Sequence, residues 1–196
     1  ARAPAAARPA AVAIPLRAPG GAHPRRQACS VAVRPHVIPT AGAGGGSGGS
    51  TAGEALVALA DIRAGAVILH ALCDRVVANE KSMYSMQIGE SEMWHIEPGI
   101  PGHEIMFTQH AYDPNAEVHV VRSTIGERNV LLIARAHIPR GSVITINYNS
   151  FEFSEMSAPF RCVFTGRVVN GFQHADEEEK DFLLRSGLAL PHVRRG

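Results

Sequence analysis

The sequence predicts a mainly β domain closed by one short helix. Short apolar or alternating runs recur at 55–60, 66–69, 84–88, 94–96, 118–121, 130–134 and 143–148, with Gly, Pro, Asn or Asp punctuating most of the gaps. Runs of this length and punctuation are strands, because helices need longer stretches at a 3.6-residue period. Only 176–185 reads as a helix, with acids packed into its first turn and Gly187 as the stop. The chain has 196 residues, 45% hydrophobic and 19% charged, enough for one core and a tail but not for two full domains.

In chain order, residues 1–41 are rich in Ala, Arg and Pro and hold no acid. An Arg-rich, acid-free N-terminus has the composition of an organelle transit peptide, so a disordered tail addressed to a plastid is expected, or otherwise a cytoplasmic or nuclear protein. Residues 42–52 follow as a Gly/Ser linker. This glycine run is not a phosphate-binding loop, since no Lys follows its last Gly. The ordered domain is expected at 53–152, with a C-terminal region at 153–196. Within the domain, Asp61-Ile62-Arg63-Ala64-Gly65 turns into the run 66–69, and His137-Ile138-Pro139-Arg140-Gly141 turns into the run 143–148. The two phrases share the pattern Ile-x-x-Gly-x-Val-Ile, which predicts two tight turns of the same kind.

Charge and cysteine usage narrow the function. The net charge of +1 hides a split: residues 1–53 carry six Arg and no acid, while 54–196 carry 13 Lys+Arg against 18 Asp+Glu. A net-acidic ordered part with one Trp and three Tyr offers no basic-aromatic surface for nucleic acid. No apolar run is long enough to span a bilayer as a helix. Cys29, Cys73 and Cys162 are odd in number and widely spaced, which speaks against a disulfide framework or a paired-cysteine metal site.

Five phrases, in order, resemble the SET domain of protein lysine methyltransferases. Gly53-Glu54-Ala55 with 61–68 resembles the opening G-x-G phrase and its turn. Tyr84-Ser85-Met86-Gln87-Ile88-Gly89 resembles the central Y-x-x-Q-x-G strand. Gln109-His110-Ala111-Tyr112-Asp113-Pro114-Asn115-Ala116 resembles N-H-S-C-D-P-N-A. Residues 134–148 resemble the phrase that ends in Asp-Tyr, and Phe160-Arg161-Cys162 with Gly171-Phe172 resembles the post-SET tail.

The resemblance implies small curved sheets, a C-terminal segment threaded beneath a loop, and S-adenosylmethionine (SAM) in one cleft joined by a channel to a substrate lysine in another. Tyr148 then matches the catalytic tyrosine. Gln109, His110, Gly53 and Ala55 match cofactor-binding positions, with Gln in place of Asn and Ala in place of the second Gly. Phe151, Phe153 and Tyr84 are expected to line the lysine channel. The family's zinc cysteines are reduced to Cys162, so no zinc is expected; tetrahedral zinc needs four ligands. Phe160, Phe164 and Phe172 are instead expected to hold the tail by apolar packing. The implied partner is a lysine-bearing, non-histone protein, possible in a plastid. The departures at Gln109, Ala55 and the zinc cysteines equally fit a catalytically inactive SET-like module that binds protein. The acidic run 176–181 is expected to be a solvated helix face.

Overall fold

The computed structural model describes residues 31–38 and 51–196. Its first sheet is the antiparallel pair β1 (Val31–Ile38) and β2 (Thr51–Ala58), with Val31 opposite Ala58. This pairing brings a strand from N-terminal to residue 53 onto the domain. Composition assigns residues 31–38 to the tail and 51–52 to the linker, yet both belong to strands. The physical reason is a period-2 pattern inside a biased composition: Val31 is buried and Arg34 exposed. Residues 1–30 and 39–50, which carry most of the transit-like stretch and the glycine linker, lie outside the described residues.

The rest is a set of small sheets. β3 (Val67–Leu72), β8 (Ala116–Arg122) and β9 (Arg128–Ala134) form a three-stranded antiparallel sheet in the order β3-β9-β8. β4 (Val76–Ala78), β5 (Ser85–Gln87) and β6 (Glu92–His95) form another in the order β4-β6-β5. β7 (Gln109–His110) pairs in parallel with β10 (Thr145–Ile146), and β11 (Phe160–Arg161) forms a hairpin with β12 (Val168–Val169). One helix, α1 (Glu177–Ser186), closes the chain. Asp176 caps it by accepting from the Glu179 N–H, and Gly187 ends it in the left-handed conformation.

The two similar turns pair with each other. Ile62 and Ile138 exchange both backbone hydrogen bonds at 2.9 Å, and both side chains are buried. Gly65 (φ 79°) and Gly141 (φ 85°) supply the left-handed residue each turn requires. The core beneath is aliphatic, built on Leu56, Ile105, Leu132, Ile138, Ile144, Ile146 and Leu183 around Trp94, all almost fully buried.

Residues 147–153 run through a ring of partners. The Gln87 N–H donates to Glu152 Oε1 (3.0 Å), and the Phe153 N–H donates to Gln87 Oε1 (2.9 Å). Phe172 donates to the Glu152 carbonyl (2.7 Å), Leu190 to that of Ser150 (2.8 Å), and His192 Nε2 to that of Phe151 (2.8 Å). Gly171 passes so close that an added Cβ would collide with the Ser154 carbonyl. Strands from the middle of the chain and segments from its end thus enclose one stretch of backbone.

Candidate active site around Tyr148

Tyr148 opens a single 3-10 turn directly after β10. The parallel β7–β10 register sets Thr145 beside Gln109 and Ile146 beside His110. That register brings Tyr148 back onto the β7 segment at two points. Its backbone N–H donates to His110 Nδ1 (3.2 Å), and its phenol donates to the Thr108 carbonyl (2.7 Å). Burial pushes the phenol up to about 12, against a smaller opposing effect of the Thr108 bond. The hydroxyl therefore stays neutral at physiological pH.

The phenol lies on the wall of a cavity of about 340 Å³. Met86, Ile96, Ile105, Ile146 and Phe151 make this wall largely apolar. Tyr84 and Met83 also line it and are exposed. Of the three residues expected at a lysine channel, Phe151 and Tyr84 line this cavity. Phe153 does not: its ring stacks on Phe172 at 6.4 Å. Its backbone is held by the Gln87 side chain and the Gln173 N–H, which directs the ring to the C-terminal segment.

The residues expected at the cofactor lie along the β2–β7 seam next to Tyr148. Gln109 Nε2 donates to the Glu54 carbonyl (3.3 Å), tying β7 to β2 between Gly53 and Ala55. The longer amide reaches across that seam. Ala55, standing where the family has its second Gly, is fully buried. His110 is buried too, and burial followed by the nearby Arg167 charge pulls it down to about 4. It is neutral at pH 7. Because Nδ1 accepts from Tyr148, the proton sits on Nε2, which is buried with no hydrogen-bond partner among the described residues.

The C-terminal hairpin packs on His110 and Tyr148, and its Phe160 also lines the cavity. Cys162 Sγ points at the His110 carbonyl (3.8 Å), and Phe160 meets both His110 and Tyr148 edge-on. Arg167 lies 4.0 Å over the Tyr112 ring. Phe172 is buried and Phe160 half-buried, whereas Phe164 is exposed. Among the described residues no group of three or more His, Cys, Asp or Glu is placed to hold a metal ion. Among them, too, no helix is long and apolar enough to cross a membrane.

Sequence reasoning missed Thr108, the cavity-lining pair Lys81 and Glu152, and Glu179. Glu152 is buried, 3.7 Å from Lys81 Nζ, and burial raises it despite the Gln87 N–H and Lys81. Glu179 overturns the reading of 176–181 as wholly solvated. Asp176, Glu177, Glu178 and Asp181 are exposed, but Glu179 faces inward beside Leu183, one turn on. That i, i+4 spacing from an apolar residue was the available signal.

Residues 53–149 match the family model of the SET domain. The chain contains a SET domain. Protein lysine methylation is the general activity of this domain, and SAM is its usual methyl donor. Among solved structures, a crystal structure of a Plasmodium falciparum candidate histone methyltransferase is similar at 17% identity and TM-score 0.39, over 50% of this chain and 84% of that one. No curated protein matches the chain. The side chains and backbone near Tyr148 offer donor chemistry of the kind SAM's polar groups take, outside the lining of the cavity. The unpartnered His110 Nε2–H, the half-buried Gln109 amide and the side-chain-free Gly53 gather polar donors and close-approach backbone on one seam of the SET domain.

Proposed function

We propose that the chain is a SAM-dependent protein lysine N-methyltransferase acting on a non-histone protein. The observation that carries the reading is the Tyr148 hydroxyl, fixed on the Thr108 carbonyl at the wall of an apolar cavity. In this reading Tyr148 is the catalytic residue, and Gln109, His110, Gly53 and Ala55 hold the cofactor. SAM, when bound, supplies an electrophilic sulfonium methyl. The apolar wall favours the neutral form of an entering lysine amine. With its own hydrogen committed to Thr108, the phenol oxygen keeps lone pairs that accept from an amine N–H and orient it. Alignment of this kind is worth up to about 7–11 kcal/mol.

The test pairs calorimetric SAM binding with transfer of a labelled methyl group to proteins of a lysate. The proposal expects label on protein and its loss with Tyr148→Phe. Absence of both binding and label refutes it. A second reading, a SET domain that binds protein without methylating it, is favoured by the engaged Gln109 amide and the buried Ala55 methyl. Failure to bind SAM supports that module. A plastid location belongs to the same proposal and is tested by imaging a fluorescent fusion that carries residues 1–41.

A further inference from the structure

We propose that Glu179 is a positioning residue for Tyr148, which rests on the catalytic reading of that tyrosine. One carboxylate oxygen of Glu179, brought in by α1, accepts from two amides at once: Asn147 Nδ2 at 3.0 Å and Asn149 Nδ2 at 2.9 Å. These asparagines flank Tyr148 on both sides. They are further cross-linked, since Asn147 Oδ1 accepts the Asn149 N–H (2.9 Å) and Asn149 Oδ1 accepts the Gly171 N–H (2.9 Å). Glu179, Asn147 and Asn149 are all buried.

The consequence is a clamp. The turn that carries the phenol is fixed by Thr108 and His110 on one side, and by a carboxylate from the last helix on the other. Arg167 pairs with Glu179 at 3.8 Å and also with Asp176, while its guanidinium covers Tyr112. The clamp thus ties the C-terminal hairpin, α1 and the catalytic turn into one unit. A single buried carboxylate oxygen shared between two amides is the joint. Two hydrogen bonds to one charged acceptor are each stronger than neutral ones and hold the asparagine rotamers in a single geometry.

The decisive variants are Glu179→Ala, which removes the acceptor, and Glu179→Gln, whose carbonyl oxygen still accepts from both amides. Glu178→Ala, on the exposed face of the same helix, is the control. The readout is the Tyr148 ring-carbon NMR signal in protein labelled on its three tyrosines, assigned with Tyr148→Phe, together with kcat and KM for methyl transfer. The expected result is a shifted or broadened Tyr148 signal and a kcat lowered by about 10²-fold in Glu179→Ala, with KM for SAM nearly unchanged. Glu179→Gln restores both within a few-fold, and Glu178→Ala changes neither. An unchanged Tyr148 signal in Glu179→Ala, or a Glu179→Gln variant as impaired as Glu179→Ala, overturns the proposal. If the wild-type chain transfers no methyl group, the catalytic reading fails, and the NMR signal still decides whether Glu179 positions the ring.

Discussion

The Tyr148 hydroxyl and the Thr108 carbonyl meet at 2.7 Å across forty positions of sequence. The parallel β7–β10 pairing brings the two together: Thr108 immediately precedes β7, and Tyr148 follows β10 by two residues. Tyr148→Phe is therefore a clean deletion: the ring keeps its neighbours His110, Phe151 and Phe160, and one buried bond is lost. Stability should fall by about 1 kcal/mol, with the Thr108 carbonyl left unpaired. Methyl transfer should fall by about 10²-fold or more, the usual cost of removing one preorganised group. Urea unfolding and single-turnover kinetics measure the two effects separately.

Much of this arrangement could be read in the sequence, and what could not has a physical cause. The helix at 177–186 was legible because Asp176, three acids and Gly187 are all local signals. The paired turns at Ile62 and Ile138 showed themselves as an internal echo. β1 did not, because the Ala/Arg/Pro bias of residues 1–41 outweighed a four-residue alternation. Phe153 was misplaced because its proximity to Tyr148 in sequence says nothing of ring direction after a 3-10 turn. Glu152 and Lys81 meet only through the fold, seventy-one positions apart, and no motif links them.

Acid should weaken the fold through His110. Its folded pKa lies at about 4 against an ordinary 6.5, so between these values the unfolded chain binds the proton and the native one does not. Stability then rises with pH in this window, is fully present above 6.5, and is lost as pH falls towards 4. His192 is lowered as well, and Glu152 and Glu179 are raised with the opposite sign. The His110 share is therefore taken as a difference. His110→Asn keeps an acceptor for the Tyr148 N–H but does not titrate. The wild-type chain should lose up to roughly 3 kcal/mol more than this variant between pH 6.5 and 4. Parallel pH profiles of the two proteins would show that His110 does not titrate as inferred.

The Gln109 amide should matter more for the cofactor than for the fold. Its bond to the Glu54 carbonyl is 3.3 Å long and only partly buried, so Gln109→Ala should cost about 0.5 kcal/mol of stability. SAM binding should weaken by about tenfold, the value of one good hydrogen bond. Calorimetry and urea unfolding on the same preparation compare the two losses. Equal affinity in the variant would remove Gln109 from the cofactor site.

The C-terminal region should hold without metal. Cys162, Val169 and Phe172 are buried, and among the described residues Cys162 faces a backbone carbonyl. Phe172→Ala should therefore cost about 3–5 kcal/mol through the cavity it leaves. A chelator should leave the thermal midpoint of the wild-type chain unchanged. A midpoint that drops on chelation and recovers with added zinc would assign the hairpin a metal after all.

Lys81 and Glu152 form a charged pair on the cavity wall, and the two charges are not equivalent. Lys81 Nζ has further partners in Ser154 Oγ (2.9 Å) and the Glu155 carbonyl (2.7 Å), whereas Glu152 Oε1 has the Gln87 N–H. Glu152→Gln keeps that acceptor and leaves Lys81 solvated and bonded, so it should cost under about 1 kcal/mol. Lys81→Met strands a buried carboxylate and should cost about 1–3 kcal/mol at pH 7. Its pH dependence follows from the sign of the shift. Glu152 is already raised in the folded chain, and removal of Lys81 raises it further, so the native state holds the proton over a wider range than the unfolded one. The deficit of Lys81→Met is therefore largest above the folded pKa of Glu152 and shrinks as pH falls towards its ordinary 4.5. Urea unfolding of the two single variants and of Lys81→Met/Glu152→Gln across this range gives the coupling directly. A deficit in Lys81→Met that stays constant with pH would mean that the carboxylate is solvated and that the cavity wall is not the dry surface a neutral lysine amine requires.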